Sequence, residues 1–272
     1  MSLVVSSLNS GSNGNCYYIG NAEEAVLIDV GISAREAERR LKRQQLSVRK
    51  IRAIFITHEH ADHVGGMRKL AKRHNLPVYI TPETRKESRL ELRGIQIRNF
   101  VPYEEIAIGK LRVTPFPISH DAGDPHGFVV AHEGITAGVF TDLGTTSQIH
   151  QRFFQRCHVA FLESNYDEQM LEAGDYPPLL KDRIRSNKGH LSNLQALQFF
   201  MTSRPPFMTH LFLSHLSENN NTPEIVKQLF MEVAGSTEII IASRHKESGL
   251  YYIGNGSRRV PLADATEQLS LF

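Results

Sequence analysis

The run Ala53-Ile-Phe-Ile56 leads directly into Thr57-His-Glu-His-Ala-Asp-His63, and this junction constrains the fold more than any other stretch. A short apolar run of this kind reads as a buried strand. Three imidazoles and, in register with them, the Asp62 carboxylate then fall at its end, where loops converge and side chains are not committed to the core. Imidazole suits zinc, iron and manganese, while a carboxylate adds preference for a hard ion or a bridging position. A lone histidine is usually a packing or surface residue, but His-x-His-x-Asp-His is not explained that way. One loop leaves coordination positions open, so further ligands must come from other strand ends.

Three later stretches follow the same grammar of apolar strand, small residue and ligand. Pro117-Ile-Ser leads to His120, Val139-Phe-Thr to Asp142, and Leu213-Ser to His215. His74, His126, His132, His150, His158, His210 and His245 lack that context and read as surface or packing residues. Strand-like runs recur along the chain, at residues 25, 53, 77, 111, 127, 136, 158, 210, 238 and 250. Helices separate several of them. Ser33 with Glu36 predicts a capping box, as does Ser192 with Gln195, and Thr222-Pro223 puts proline at a first helical position. The class is mixed α/β, and no internal repeat or low-complexity segment is present.

The 272 residues allow a sizeable core in one large domain or two small ones. Two cysteines, Cys16 and Cys157, make no disulfide framework, and the first residues lack a signal-peptide pattern. A reducing cytoplasm is the expected compartment. No apolar run reaches the roughly 20 residues that cross a bilayer. The net charge of +2 hides an asymmetry, since residues 33–98 hold 17 Lys and Arg against 7 Asp and Glu. Such a segment suits a polyanion, and equally a set of solvated helix faces.

With Thr57-His-Glu-His-Ala-Asp-His-Val-Gly-Gly66 followed in order by His120, Asp142 and His215, the chain resembles the metallo-β-lactamase superfamily of binuclear hydrolases. The resemblance runs over most of residues 3–255 and includes Asp29, which looks like the family's aspartate that braces the metal loop. It implies an αββα sandwich, two mixed β-sheets face to face with helices outside. It further implies His58, His60 and His120 as ligands of one metal, Asp62, His63 and His215 as ligands of a second, and Asp142 bridging. Two such ions, manganese or zinc, would activate a shared water, with Asp62 as a possible proton acceptor. Fold alone does not choose among lactams, thioesters, lactones and phosphodiesters.

Glu163 at a strand end and His190 just before a capped helix resemble the acid relay of the superfamily's phosphodiesterase branch, which protonates the leaving alkoxide. Only 47 residues separate Asp142 from His190, too few for the inserted domain of the messenger-RNA-processing nucleases. The stretches around "SGSNGN", "SHDAGDPHGF", "LESNYD", "GHLSN" and "LSHLSENNNTPE" are similar to a WalJ- or YycJ-like bacterial subgroup. That similarity implies a 5′-to-3′ DNA exonuclease linked to repair. Ser10, Ser12, Asn13, Asn15 and Ser192 are the candidate substrate contacts. A small-molecule hydrolase of a thioester, lactone or cyclic phosphodiester, or an RNA-processing nuclease, is the alternative. A hydrolase domain is expected over residues 1–256, followed by a polar linker and terminal peptide over 257–272. The last five residues, Gln268, Leu269, Ser270, Leu271 and Phe272, resemble the pentapeptide by which bacterial repair proteins dock on the DNA polymerase sliding clamp.

Overall fold

The computed structural model describes residues 2–254 and 258–260. The chain first lays down β1 (Ser2–Asn9), β2 (Cys16–Gly20), β3 (Ala25–Ile28), β4 (Ile51–Phe55), β5 (Val78–Tyr79) and β6 (Ile97–Arg98). Among them fall α1 (Ala34–Arg43), α2 (Ala61–Val64), α3 (Met67–His74) and α4 (Pro82–Ser88). A second sheet follows, built from β7 (Ile106–Ile108), β8 (Leu111–Pro117), β9 (His126–His132), β10 (Ile135–Phe140), β11 (Val159–Glu163), β12 (His210–Ser214) and β13 (Glu238–Ile241). It is interrupted by α5 (Gln148–Phe154), α6 (Glu168–Ala173), α7 (Pro178–Arg185), α8 (Asn193–Ser203) and α9 (Pro223–Met231). The chain then returns to the first sheet with β14 (Leu250–Gly254) and β15 (Arg258–Val260).

Period-two alternation explains the layering. Leu3 and Val5 of β1, Val26 and Ile28 of β3, and Ala53 and Phe55 of β4 face Val139, Val159, Phe161 and Phe212 of the second sheet. Their neighbours Val4, Leu27 and Ile54 point the other way, onto Ala37 and Leu41 of α1 and Leu70 of α3. On the far side, Ala160, Leu162, Leu211 and Leu213 pack against Phe154 of α5, Phe200 of α8 and Phe230 of α9. Both sheets are therefore buried on both faces, and the order is helix, sheet, sheet, helix: the expected αββα sandwich.

Strand direction decides where the site can be. β3 to β6 are mutually parallel, and so are β10 to β13. β8 is antiparallel to β9, which is antiparallel to β10, so β8 shares the direction of β10. The carboxyl ends of co-directional strands gather at one rim of each sheet, where open α/β sheets bind ligands. Asp29 follows β3, the Thr57–His63 loop follows β4, and His120, Asp142, Glu163 and His215 stand at the ends of β8, β10, β11 and β12.

Two local expectations change. Ser33 accepts the Glu36 amide at 3.2 Å, but the Glu36 carboxylate turns to Arg39 and Arg40 instead of closing the box. Two guanidiniums on the next turn outcompete one backbone N–H. The first sheet also passes the expected boundary at residue 256, because β15 pairs antiparallel with β14 in the register Leu250↔Val260. Backbone hydrogen bonds can add an edge strand without any hydrophobic pattern.

Candidate metal centre

Asp29 sets the first half of the site. Fully buried, it accepts the Thr57 amide at 2.9 Å, the Thr57 hydroxyl at 2.8 Å and His63 Nδ1 at 2.8 Å. The last bond fixes the His63 tautomer and aims Nε2 at Asp62 and Asp142. Asp62 and His63 lie on the single turn of α2, which must pass directly beneath Gly31. A Cβ at Gly31 would stand 1.7 Å from the Asp62 carbonyl oxygen, so only glycine admits this approach. His58 Nε2 faces His60 Nδ1 at 3.0 Å, and both rings pack about 5 Å from His120.

The second sheet completes the ring. His120 donates Nδ1–H to the Gly189 carbonyl at 3.0 Å, leaving Nε2 for the centre. Glu163 is buried and fully occupied. Its Oε2 accepts the amides of Leu143 at 2.8 Å and Leu191 at 3.1 Å, while Oε1 accepts His190 Nδ1 at 2.8 Å and His215 Nδ1 at 2.9 Å. Burial alone would raise its pKa, yet the two imidazoles hold it well below the usual carboxylate range. His215 is pinned at both backbone groups, its amide by the Ser10 hydroxyl and its carbonyl by Asn165 Nδ2, each at 2.8 Å. Asp29, Asp142 and His215 all have φ near +60°, a conformation costing about 1–3 kcal/mol for a non-glycine residue. Such outliers at three strand ends mark a site held by its surroundings.

The donor set fits divalent cations. Among the described residues, four groups of side chains have ligand atoms within 4.8 Å of one another: His58, His60 and His120; His58, His63 and Asp142; Asp62, His63 and His215; and Asp142, Glu163, His190 and His215. Asp142 Oδ2 and His215 Nε2 are buried and make no hydrogen bond, an arrangement that costs about 1–3 kcal/mol per atom unless an ion accepts them. Protonation follows the same geometry. Burial, with the neighbouring His63, His120 and His60, holds His58 well below its ordinary pKa and keeps it neutral. His63 and His215 are buried as well, but Asp142, Asp62, Asp29 and Glu163 outweigh burial, and His215 is pushed up to about 10. Carboxylates that draw protons onto buried imidazoles are the charge density a divalent cation neutralises.

The rim of the site differs from expectation. Ser10 is buried under Tyr17 and the His215 amide, and Asn15 is buried with Nδ2 on His63 and Asp62. Ser192 caps α8 in a reciprocated box with Gln195 and donates its hydroxyl to Glu168. These three candidate substrate contacts are spent inside the protein. Ser12 and Asn13 remain at the surface, tied to Arg244. The metal-facing cleft, about 380 Å³, is walled by His60, Asp62, His120, Asp142, His190 and His215 on one side. Tyr176, Leu180, Arg183 and Ile184 of α7 and its approach line the other, a wall that no motif announced. Arg183 anchors α7 to Asp121, the residue after His120.

A family model described as a beta-lactamase superfamily domain matches residues 24–215. The exodeoxyribonuclease YycJ of Bacillus anthracis is 31% identical over 236 residues, covering 86% of this chain and 89% of its own. The exodeoxyribonuclease WalJ of Streptococcus pneumoniae is 28% identical over 223 residues, covering 80% and 83%. Among solved structures, the metallo-beta-lactamase fold protein YhfI from Bacillus subtilis superposes with a TM-score of 0.71 at 16% identity, over 91% of this chain and 99% of that one. A new diphosphatase from the PhnP family gives 0.68 at 17% identity, over 93% and 98%. The chain is thus a metal-dependent hydrolase of the beta-lactamase superfamily, and within it belongs to the family that contains YycJ and WalJ. Among the described residues no helix is long and apolar enough to cross a membrane.

Proposed function

We propose that the chain is an exodeoxyribonuclease that removes nucleotides from DNA ends in the 5′-to-3′ direction and uses two divalent ions, manganese or zinc. One observation carries the reading beyond a generic hydrolase: Glu163 Oε1 is shared by His190 and His215 at 2.8 and 2.9 Å. That joins a candidate metal ligand to a half-buried imidazole on the wall of the cleft. His58, His60 and His120 would hold one ion and Asp62, His63 and His215 the other, with Asp142 shared between them. Ions bound there would polarise a phosphodiester and lower the pKa of a water towards neutrality.

The chain's own groups do the rest. Glu163 fixes the His190 tautomer, so Nε2 remains for the cleft and, when protonated, donates to the departing alkoxide. An alkoxide is a poor leaving group, so its departure gains from this proton. Asp62, on the cleft wall, is the candidate acceptor for the proton of the attacking water. With Mn²⁺ and end-labelled DNA, the protein should release nucleotides from the 5′ end and Asp142→Ala should release none. Equal product from both would overturn the reading.

A hydrolase domain drawn past residue 256 to take in β15, a terminal tail after it, the assignment to DNA repair and a cytoplasmic location belong to the same reading. Both cysteines are free and buried, which supports a reducing compartment. Gln268 to Phe272 lie outside the described residues. As a sliding-clamp peptide they would insert Leu269, Leu271 and Phe272 into an apolar groove, with Gln268 and Ser270 at its polar edge. Clamp pull-down with and without residues 268–272 tests this, and equal capture of the truncated chain ends it.

A further inference from the structure

A second cleft of about 370 Å³ adjoins the metal-facing one, and nothing in the chemistry above uses it. It opens past the ends of β12 and β13. Leu216, Ile241 and Ala242 line its apolar part, and Arg244, His245 and Lys246 stand on the loop after β13. Ser217 lines both clefts, and Arg244, in the second, hydrogen-bonds through Nη2 to Ser12 on the wall of the first, at 3.2 Å. The loop is held on three sides. Ser10 N donates to the Ser243 carbonyl at 3.1 Å, Asn13 Nδ2 to the Arg244 carbonyl at 2.9 Å, and Arg40 Nη2 to the His245 carbonyl at 3.0 Å. Arg244 is therefore presented in a fixed position. Its Nη1, buried and without a hydrogen bond, stands 3.0 Å from Glu218, a side chain 65% exposed on the rim. Lys246 is exposed and has no ion pair among the described residues.

We infer that this cleft holds the nucleotide that adjoins the scissile phosphate, with its base on the apolar floor and its own phosphate against Arg244 and Lys246. The chemistry supports a nucleotide over a wholly apolar ligand or a free anion. An apolar floor takes a base of any sequence, and a guanidinium meets a phosphate with two parallel hydrogen bonds. An enzyme working from an end must hold the strand beside the bond it cuts, and a cleft sharing a wall with the metal centre meets that requirement. Glu218 then acts as a placeholder for the phosphate on Arg244. The inference rests on the exodeoxyribonuclease reading.

The test compares a single-stranded oligonucleotide with bis(p-nitrophenyl) phosphate, a diester with no nucleobase and no second phosphate for Arg244 and Lys246 to hold, both with Mn²⁺. Arg244→Ala should lower the ratio of kcat/KM for DNA to that for the diester by about tenfold or more, and Lys246→Ala should lower it by less. Glu218→Gln should raise the ratio, because it frees the guanidinium, whereas a purely structural role for the Arg244–Glu218 pair gives losses in both variants. If Arg244→Ala folds poorly, Lys246→Ala and Glu218→Gln still decide through their opposite signs. DNA digestion with unchanged ratios in all three variants overturns the second cleft alone. Wild-type protein that hydrolyses the diester and leaves DNA intact overturns the exonuclease reading and this inference with it.

Discussion

The two sheets bring their halves of the centre together by different means, although each relies on one buried carboxylate. Asp29 organises a loop whose candidate ligands His58, His60, Asp62 and His63 are near neighbours in sequence. Glu163 organises groups drawn from separate strand ends and a helix start, touching the amides of Leu143 and Leu191 and the rings of His190 and His215. Their ionisation differs accordingly. Burial dominates at Asp29 and raises its pKa despite His63, whereas two imidazoles overcome burial at Glu163 and lower it. A local loop needs one brace for position; a dispersed set needs a brace that also carries charge.

The largest expected effect removes the residue that both halves share. Asp142 stands 3.3 Å from His63 and 3.4 Å from His215. Asp142→Ala should lower turnover by about a thousandfold or more, with metal content measured by mass spectrometry falling in parallel. Full metal content with lost activity would instead make Asp142 a group acting on substrate. His190→Ala comes next and separates chemistry from coordination. Loss of a general acid should cost about 10²–10⁴ on DNA. With a p-nitrophenolate leaving group, which needs no proton, the loss should be much smaller, and metal content should hold. A uniform loss on both substrates would assign His190 to structure.

A smaller effect compares the two braces directly. Asp29→Ala leaves the ligands present but frees the His63 ring, and outer partners of this kind typically contribute about 10–100-fold to metal affinity. Glu163→Gln should weaken metal through His215 and also slow DNA cleavage through His190. In titrations against a chelator, Asp29→Ala should therefore recover turnover at saturating metal, and Glu163→Gln should not. Recovery of both would erase the distinction between the halves.

How much of this was legible follows the same division. The Thr57–His63 loop is a contiguous pattern, and the strand-end grammar singled out His120, Asp142 and His215 as candidate ligands, because a polar residue after an apolar run can be noticed without tertiary information. Asp29, Glu163 and His190 were reached only through family resemblance. Asn165 and Arg183 carried no signal, since their partners, the His215 carbonyl and Asp121, are far away in sequence. Ser10, Asn15 and Ser192 have the composition of a ligand-binding loop, but their polar atoms are consumed by the protein's own donors and acceptors. Composition cannot separate an amide or hydroxyl offered to substrate from one required to satisfy the core. β1 shows the same limit: Ser6 and Ser7 break its alternation, yet both are buried in a central strand.

His150 offers the finest probe of the dispersed half, and its pattern suggested only a surface or packing residue. It is buried at the third position of α5, where Nδ1 accepts the Ser147 amide at 3.1 Å and Nε2 donates to the Pro117 carbonyl at 3.0 Å. The second bond ties α5 to the end of β8, three residues before His120, while the first closes the box at the helix's own N-terminus. Both require the neutral ring with its proton on Nε2, and protonation of Nδ1 would break the first. Burial lowers the pKa of His150, against the smaller pull of the Pro117 carbonyl. The folded value therefore lies below the unfolded value of about 6.5, and the unfolded chain binds more protons in that interval. This contribution to stability is present above pH 6.5 and is lost as pH falls through the window below it, by about 1 kcal/mol for one hydrogen bond. Amide exchange should show Ser147 losing protection at low pH while Thr57, held by Asp29, keeps it. His150→Gln should flatten the Ser147 response, because its side chain carries an acceptor and a donor but does not titrate in this range. Equal loss at Thr57 and Ser147 would mean that the two halves open together, and that the brace at Asp29 gives the contiguous loop no independence.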